Sequence, residues 1–168
     1  EKKQVLYDLR TEYHGPFLVE DFYAEVHKWI KENGFEKEPK IKSEHLTKEG
    51  KKIEWVIEAH KHLDELHYAV IVLRTYFTNV KEVLIKKDGK KTRVNVGEVF
   101  VTIDGFIQSH ILGSFWQLKP IYYFIRTLID KYIHNFWTEK HDGFVIDSCH
   151  GLFKRIRSFL NVQKYKYE

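Results

Sequence analysis

The stretch HYAVIVLRTYFTNVKEVLIKKDGKKTRVNVGEVFVTIDGFIQSHI, residues 67–111, decides the fold of this chain. Its first part is apolar at consecutive positions, which is typical of a strand buried on both faces in the centre of a sheet. Asp88-Gly89 lies between two runs of strand-forming residues and is a strong β-hairpin signal. We therefore predict a long strand bent near Thr78-Asn79, a tight turn and a returning antiparallel strand. Two glycines of the returning strand mark bulges or bends, namely Gly97 and Gly105.

A further strand is predicted before this hairpin, because side chains alternate in character from Ile53 onward. The apolar face comprises Ile53, Trp55, Ile57, Ala59 and Leu63. The polar face comprises Glu54, Glu58, His60 and His62. The sequence LDEL, residues 63–66, is the turn that joins this strand to the next.

The amino-terminal third predicts a strand followed by an amphipathic helix. The run KQVLYDLRTEYHG alternates as a strand does, and Pro16 suits the first turn of a helix over residues 16–33. Gly34 is a natural stop for this helix. The charged connector after it holds a short strand around Ile41–Leu46. The apolar stripe of the helix is Leu18, Phe22, Val26, Trp29 and Ile30.

Two helices are predicted to close the chain, separated by a loop at TEKHDG, residues 138–143. The first begins at Pro120, and its aromatic and aliphatic residues recur every three or four positions. Charged and titratable residues in the stretch 115–137 argue against a membrane span, and these are Lys119, Arg126, Asp130, Lys131 and His134. The second helix starts near a capping Asp147. Its stripe is Cys149, Leu152, Phe153, Ile156, Phe159 and Leu160.

This order of elements predicts a single α+β domain over residues 1–168, in which a curved antiparallel meander packs against one amino-terminal and two carboxy-terminal helices. The arrangement resembles the helix-grip topology of the START and Bet v 1-like superfamily, and that resemblance implies an internal cavity between sheet and helix. The strings YHGPF, FIRTLIDKYI and FWTEK also look like those of small uncharacterised archaeal proteins. This second likeness implies no function.

Composition favours a soluble globular protein, with 43% hydrophobic, 31% charged and 15% aromatic residues. The abundance of Lys and Glu is a bias seen in thermophile proteins. The single cysteine, Cys149, rules out an internal disulfide and favours a reducing, cytoplasmic environment. The polar opening EKKQVLYDLR has none of the features of a secretory signal.

The aromatic residues suggest a binding site for an apolar or amphipathic small molecule, enclosed between the sheet and the carboxy-terminal helix. The alternative is that the same side chains fill a solid core. The predicted ligand-binding residues are Trp55, Ile57, Tyr76, Phe100, Phe106, Phe124, Leu128 and Tyr132.

A second candidate site is basic, and the formal net charge of +4 permits anionic partners. The hairpin tip brings together Lys86, Lys87, Lys90, Lys91 and Arg93. The last helix and the tail add Lys154, Arg155, Arg157, Lys164 and Lys166. These side chains are suited to phosphates of RNA or to an anionic surface, and Tyr165 and Tyr167 to stacking on bases. The alternative is that they are charged for solubility and to protect a sheet edge.

Motifs of known catalytic chemistry are absent, since the sequence has no P-loop, GxGxxG, GxSxG or HExxH. His60 and His62 share a strand face, with Glu58, Asp64 and His67 nearby, but the sequence does not identify a ligand from another element that would complete a metal site. Glu98 and Asp104 share a face of their strand, and an interior position would suit one of them to proton transfer. Cys149 and His150 are helix neighbours that diverge by about 100°, which is poor geometry for a nucleophile and base.

The sequence therefore predicts a non-enzymatic binding domain for a hydrophobic or amphipathic small molecule, with no cofactor and no metal ligand assigned. The alternatives are a basic protein that interacts with RNA or ribonucleoprotein, and a structural subunit that assembles through exposed aromatic residues.

Overall fold

The computed structural model describes residues 1–109 and 134–167. Within them the chain forms five strands and two helices, and this confirms the α+β class. The elements are β1 (Lys2–Phe17), α1 (Val19–Glu32), β2 (Glu36–Thr47), β3 (Gly50–His62), β4 (His67–Lys87), β5 (Lys90–Ser109) and α2 (His134–Tyr167).

The five strands form one antiparallel sheet in the order β1-β5-β4-β3-β2. β4 lies in the middle, as its apolar run predicts, and residues Ala69 to Leu73 are buried. Each of β2 to β5 pairs with its neighbour in sequence, whereas β1 pairs with β5 from the other end of the chain. β1 and β2 are therefore the two edge strands of the sheet.

The two glycines predicted to mark irregularities lie opposite bulges in neighbouring strands. Gly97 faces the register shift of β4 between Thr78 and Lys81, where a Cβ atom would come within 2.8 Å of the Thr78 carbonyl oxygen. Asn79 in this bulge has a φ of 54°, so the predicted bend at Thr78-Asn79 is confirmed. Gly105 faces the irregular part of β1 and lets α2 approach closely.

Both helices pack on one face of the sheet. α1 contributes the predicted stripe, of which Phe22, Val26 and Ile30 are buried. α2 contributes the predicted residues Cys149, Leu152, Ile156 and Leu160, all nearly inaccessible to solvent. The strands meet these helices with Trp55, Ile57, Ile71, Leu73, Val101 and Ile103.

The opposite face of the sheet carries a smaller apolar cluster and a polar network. Val56, Val70 and Val72 are buried together there. Next to them Asp104 is 8% exposed and accepts hydrogen bonds from Arg74 at 2.5 Å and from the amide of Asp8 at 2.8 Å. Both carboxylate oxygens of the buried Asp104 therefore accept hydrogen bonds.

Three predicted boundaries are wrong. TEKHDG is helical, because α2 runs without a break from His134 to Tyr167. Pro16 belongs to the end of β1, opposite Val96, and α1 begins three residues later than predicted, at Val19. The strand expected at Ile41–Leu46 extends over Glu36–Thr47, where pairing with β3 overrides the weak propensity of a charged segment.

The predicted helix that begins at Pro120 falls largely on residues 110–133, which lie outside the described residues, as do Phe124, Leu128 and Tyr132. The described residues contain no helix that is both long and apolar enough to cross a membrane.

Candidate functional site

The hairpin of β4 and β5 continues past the rest of the sheet as a two-stranded arm, residues 83–94. β3 pairs with β4 as far as Val80, and β1 pairs with β5 as far as Asn95. Beyond these positions the two strands pair with each other, down to Lys87 and Lys90. Asp88 and Gly89 both have positive φ, at 51° and 78°, as a tight hairpin turn requires. The turn therefore places the predicted lysines at the tip of a projecting arm.

The end of α2 meets this arm. The ammonium group of Lys87 donates a hydrogen bond to the backbone carbonyl of Lys166. A shallow depression of about 500 Å³ lies at the junction. Its lining is Lys87, Asn161, Val162, Tyr165 and Lys166. Two basic segments that are far apart in the sequence thus form one surface.

A line of exposed side chains extends this surface along α2. A second depression of about 360 Å³ lies between His150 and Asn161, and Asn161 borders both depressions. Successive members of the line are three or four residues apart, so they share one helix face. We call this line the basic stripe, and it consists of His150, Lys154, Arg157, Asn161 and Tyr165.

The segment of α2 that carries the basic stripe has positive but no negative side chains. Residues 148–167 contain no Asp or Glu. Arg155 points to the other side of the helix and forms ion pairs with Glu25 and Glu32 of α1. Among the described residues, Lys154, Arg157 and Lys164 have no carboxylate within ion-pair distance, and neither do the basic side chains of the arm. Within the described part of the chain, Asp88 in the turn is the one carboxylate of the arm, and it forms no ion pair with these basic side chains.

Tyr165 is the most accessible aromatic side chain on this surface, at 91% exposure, and it lies between Lys164 and Lys166. An aromatic ring held away from the core offers a flat face for stacking. Tyr167 is half-buried, and the ammonium group of Lys166 lies 5.2 Å from its ring centre. Of the two tyrosines predicted to stack on bases, Tyr165 is therefore the accessible one.

The described members of the predicted ligand-binding set do not come together. Trp55 and Ile57 are buried on the helix-facing side of the sheet, where Trp55 contacts Phe22 and Tyr23. Tyr76, Phe100 and Phe106 lie on the opposite side. The described members of the set are thus divided between the two faces of the sheet, and Trp55 and Ile57 form part of a packed core.

His60 and His62 also lie in different surroundings and do not contact a common group. The Nε2 atom of His60 lies 3.2 Å from Glu58 and 3.1 Å from Glu38, a residue of β2 that sequence reasoning missed. His62 is exposed and its ring lies 4.1 Å from that of Tyr68. Asp64 and His67 join a different group, which is completed by His141 of α2.

Glu98 and Asp104 share the face of the sheet opposite the helices, as their parity predicts. Glu98 accepts a hydrogen bond from Thr78 at 3.1 Å.

The predicted neighbours Cys149 and His150 lie on different sides of α2. Cys149 faces the sheet and is inaccessible to solvent. Burial, and to a smaller extent the negative charge of Asp104, raises the pKa of its thiol to about 12. His150 is exposed, so it is not a base for that thiol.

Comparisons with protein-family models, with curated proteins and with solved structures find no match for this chain. The helix-grip resemblance, the archaeal likeness and the cytoplasmic location thus stay predictions.

Proposed function

We propose that this chain binds single-stranded RNA through the arm and the basic stripe. The observation that carries the proposal is the convergence on one surface of two basic segments, joined at Lys87 and Lys166, whose side chains form no ion pair with a carboxylate among the described residues, Arg155 apart. Phosphate groups supply the negative charge that this surface lacks.

The dimensions of the surface suit a polynucleotide. From His150 to Tyr165 the stripe runs about 22 Å along the helix axis, at about 1.5 Å per residue. Arg157 can donate to phosphate in a forked geometry, and Lys154 acts as a point charge. A chain of several nucleotides can therefore contact the stripe and the arm at once.

Tyr165 favours an unpaired strand over a duplex. An exposed ring can stack on a base only if that base is unstacked from its neighbours, as bases of a single strand can be. Stacking of this kind tolerates any base, so we expect little sequence preference. The polar groups of Ser158 and Asn161 on the same face favour a nucleic acid over the apolar interior of a lipid surface.

The test is the fluorescence anisotropy of a labelled oligouridine of about 12 nucleotides, titrated with protein at several salt concentrations. Neutralising three arm lysines in the variant K86Q/K90Q/K91Q should weaken binding at least tenfold, because three phosphate contacts are removed. The slope of log affinity against log salt should become shallower by about 2, at about 0.7 per phosphate for a single strand.

The matched control is K2Q/K31Q/K37Q, which removes the same charge from exposed positions away from the arm and the stripe. Its affinity should stay within about twofold of the wild type. Equal weakening by both variants would mean that net charge alone attracts the oligonucleotide, and the proposal would be wrong. Absence of RNA binding together with binding to vesicles of anionic lipid would identify the surface as a membrane contact instead.

The small-molecule function predicted from the sequence stays a proposal of second rank, together with the helix-grip arrangement that suggested it. Native mass spectrometry of protein purified without denaturation would detect a retained apolar ligand. Three of its predicted residues, Phe124, Leu128 and Tyr132, lie outside the described residues.

A further inference from the structure

A cluster of one carboxylate and two imidazoles lies at the opposite end of the sheet from the arm. Asp64 and His67 come from the β3–β4 hairpin, where Asp64 lies in the turn and His67 begins β4, and His141 comes from α2. His67 Nδ1 lies 2.8 and 2.9 Å from the two oxygens of Asp64. His141 Nε2 lies 2.9 Å from Asp64 Oδ2. Three potential metal ligands from two separate elements therefore converge within 4.8 Å of one another.

The turn holds the carboxylate in place. The backbone amides of Leu66 and His67 donate hydrogen bonds of 2.8 and 2.9 Å to Asp64 Oδ1. This local arrangement is an Asx turn, which fixes the side chain relative to its own backbone. Oδ2 makes neither of these bonds and is directed at both imidazoles.

Burial and charge separate this cluster from ordinary surface carboxylates. The side chains of His141 and His67 are 9% and 17% exposed, and that of Asp64 is 35% exposed. Among the described residues, no lysine or arginine lies within ion-pair distance of Asp64. Burial acts to raise the pKa of Asp64, but hydrogen bonds from the Leu66 amide and the two imidazoles outweigh it and bring the pKa to about 2. The carboxylate is therefore charged at neutral pH.

A second group of similar composition lacks these properties. Glu38, Glu58 and His60 also converge, but the ammonium group of Lys40 lies 2.6 Å from Glu38 and 3.7 Å from Glu58. Glu38 is 52% exposed. A lysine already supplies the positive charge there, so this group is a surface ion-pair network.

We propose that Asp64, His67 and His141 bind a divalent transition-metal ion of the zinc class. Imidazole nitrogens with one carboxylate oxygen are a ligand set that zinc, cobalt and iron accept. In a tetrahedral site with bond lengths of about 2.1 Å, two ligand atoms lie about 3.4 Å apart, so each imidazole nitrogen, now 2.8–2.9 Å from an Asp64 oxygen, has to move about 0.5 Å away from it. An ion can enter with small shifts of the rings.

The three ligands found among the described residues leave at least one further coordination position on a tetrahedral ion. The proposal does not depend on RNA binding. The cluster lies beside the turn that begins β4, whereas the arm lies at the far end of the same strand. Failure of one proposal therefore leaves the other intact.

The experiment uses tag-free, chelator-treated protein titrated with Co²⁺, whose visible absorption reports nitrogen and oxygen ligation. Zn²⁺ affinity is then measured by competition with a chromophoric chelator. We expect one ion per chain. Asp64→Asn keeps an oxygen that can accept the two backbone amides, so it should fold and bind Zn²⁺ at least tenfold more weakly. His141→Gln should have a similar effect.

The controls are His62→Gln, and the double variant E38Q/H60Q, which removes the second group. Both should bind Zn²⁺ as the wild type does. Binding lost only in E38Q/H60Q, or unchanged in both Asp64→Asn and His141→Gln, would overturn the assignment, as would absence of stoichiometric binding by the wild type. If His141→Gln fails to fold, histidine NMR spectra of the wild type decide the matter, because Zn²⁺ should shift the signals of two imidazoles.

Discussion

Gly105 sets the distance between the sheet and α2. A Cβ atom at this position would come within 2.8 Å of Val145 and 2.9 Å of Cys149, both of which are buried in α2. Neither neighbour is a flexible chain end that can move aside cheaply. The helix would have to shift, and overpacking of this kind costs about 1–3 kcal/mol.

We therefore expect Gly105→Ala to lower the free energy of unfolding by about 1–3 kcal/mol in urea denaturation. Gly143→Ala is the matched control, because the residue is inside α2 and, among the described residues, no atom outside the backbone of this helix and the two neighbouring residues lies within 4 Å of a Cβ placed there. Removing a helical glycine should raise stability by up to about 1 kcal/mol. Equal effects of the two substitutions would contradict the close approach at Gly105.

The charge of Asp64 predicts a dependence of stability on pH in metal-free protein. Its pKa falls from an ordinary value of 3.8 to about 2 in the folded chain. A carboxylate with a lowered pKa stabilises the fold above its unfolded value, and the contribution disappears as the pH falls through the folded value. After allowance for its partial exposure, we expect a contribution of about 1 kcal/mol.

Asp64→Asn removes this contribution while keeping the turn. The wild type should be more stable than the variant at pH 6, and the difference should shrink between about pH 4 and pH 2. Urea unfolding in the presence of chelator measures it. A difference that stays constant down to pH 2 would show that the carboxylate charge contributes nothing.

At the scale of elements, α2 has two functional sides. Arg155 binds Glu25 and Glu32 of α1, with Nη1 2.9 Å from Glu25, and so connects the two helices. Arg157 lies on the exposed stripe and has no carboxylate partner among the described residues. The two arginines are close in sequence, but Arg155 connects the helices whereas Arg157 lines the exposed depression on α2.

We expect Arg155→Ala to lower the free energy of unfolding by about 1 kcal/mol, as removal of a partly exposed ion-pair network does, and to leave RNA affinity nearly unchanged. Arg157→Ala should do the reverse, with no measurable change in stability and a several-fold loss of RNA affinity. Urea denaturation and oligouridine anisotropy of both variants provide the test. Loss of affinity through Arg155 alone would place the RNA on another face.

The elements differ in how well the sequence predicts them. The β4–β5 hairpin follows from local signals, namely a run buried on both faces and Asp88-Gly89. The continuity of α2 through residues 138–143, in contrast, does not follow from local sequence signals. Lys3 pairs with Asp142 at 2.9 Å, and Asp64 holds His141. Such long-range contacts favour a helix where local polarity and a glycine suggest a loop.

The candidate sites show the same division. The sequence identified the basic residues of the arm and of α2, but their convergence depends on a contact between Lys87 and Lys166. It placed Asp64 near His67, yet the third member, His141, is 77 residues from Asp64 and carried no local signal. The aromatic set was divided by strand parity, since Trp55 faces the helices and Tyr76 faces away.

At the scale of the whole molecule, β4 connects two sites at opposite ends. The turn that precedes it holds the Asp64 cluster, and its far end forms the arm, which lacks a flanking strand among the described residues. α2 lies against the same sheet, with His141 in its first half and Tyr165 near its end. Shortening the arm should therefore affect one site and spare the other.

The variant that tests this replaces residues 84–93 by Asn-Gly, which joins the cross-strand pair Val83 and Val94 through a two-residue turn. Most of the removed side chains are exposed, so we expect the far-ultraviolet circular dichroism spectrum to persist and the melting temperature to change by only a few degrees. RNA affinity should fall at least tenfold. Co²⁺ binding at Asp64 should stay at the wild-type level, and it serves as the internal control. Retained RNA affinity in a folded variant would show that the arm is dispensable, whereas loss of both activities would show that the ends of the sheet are not independent.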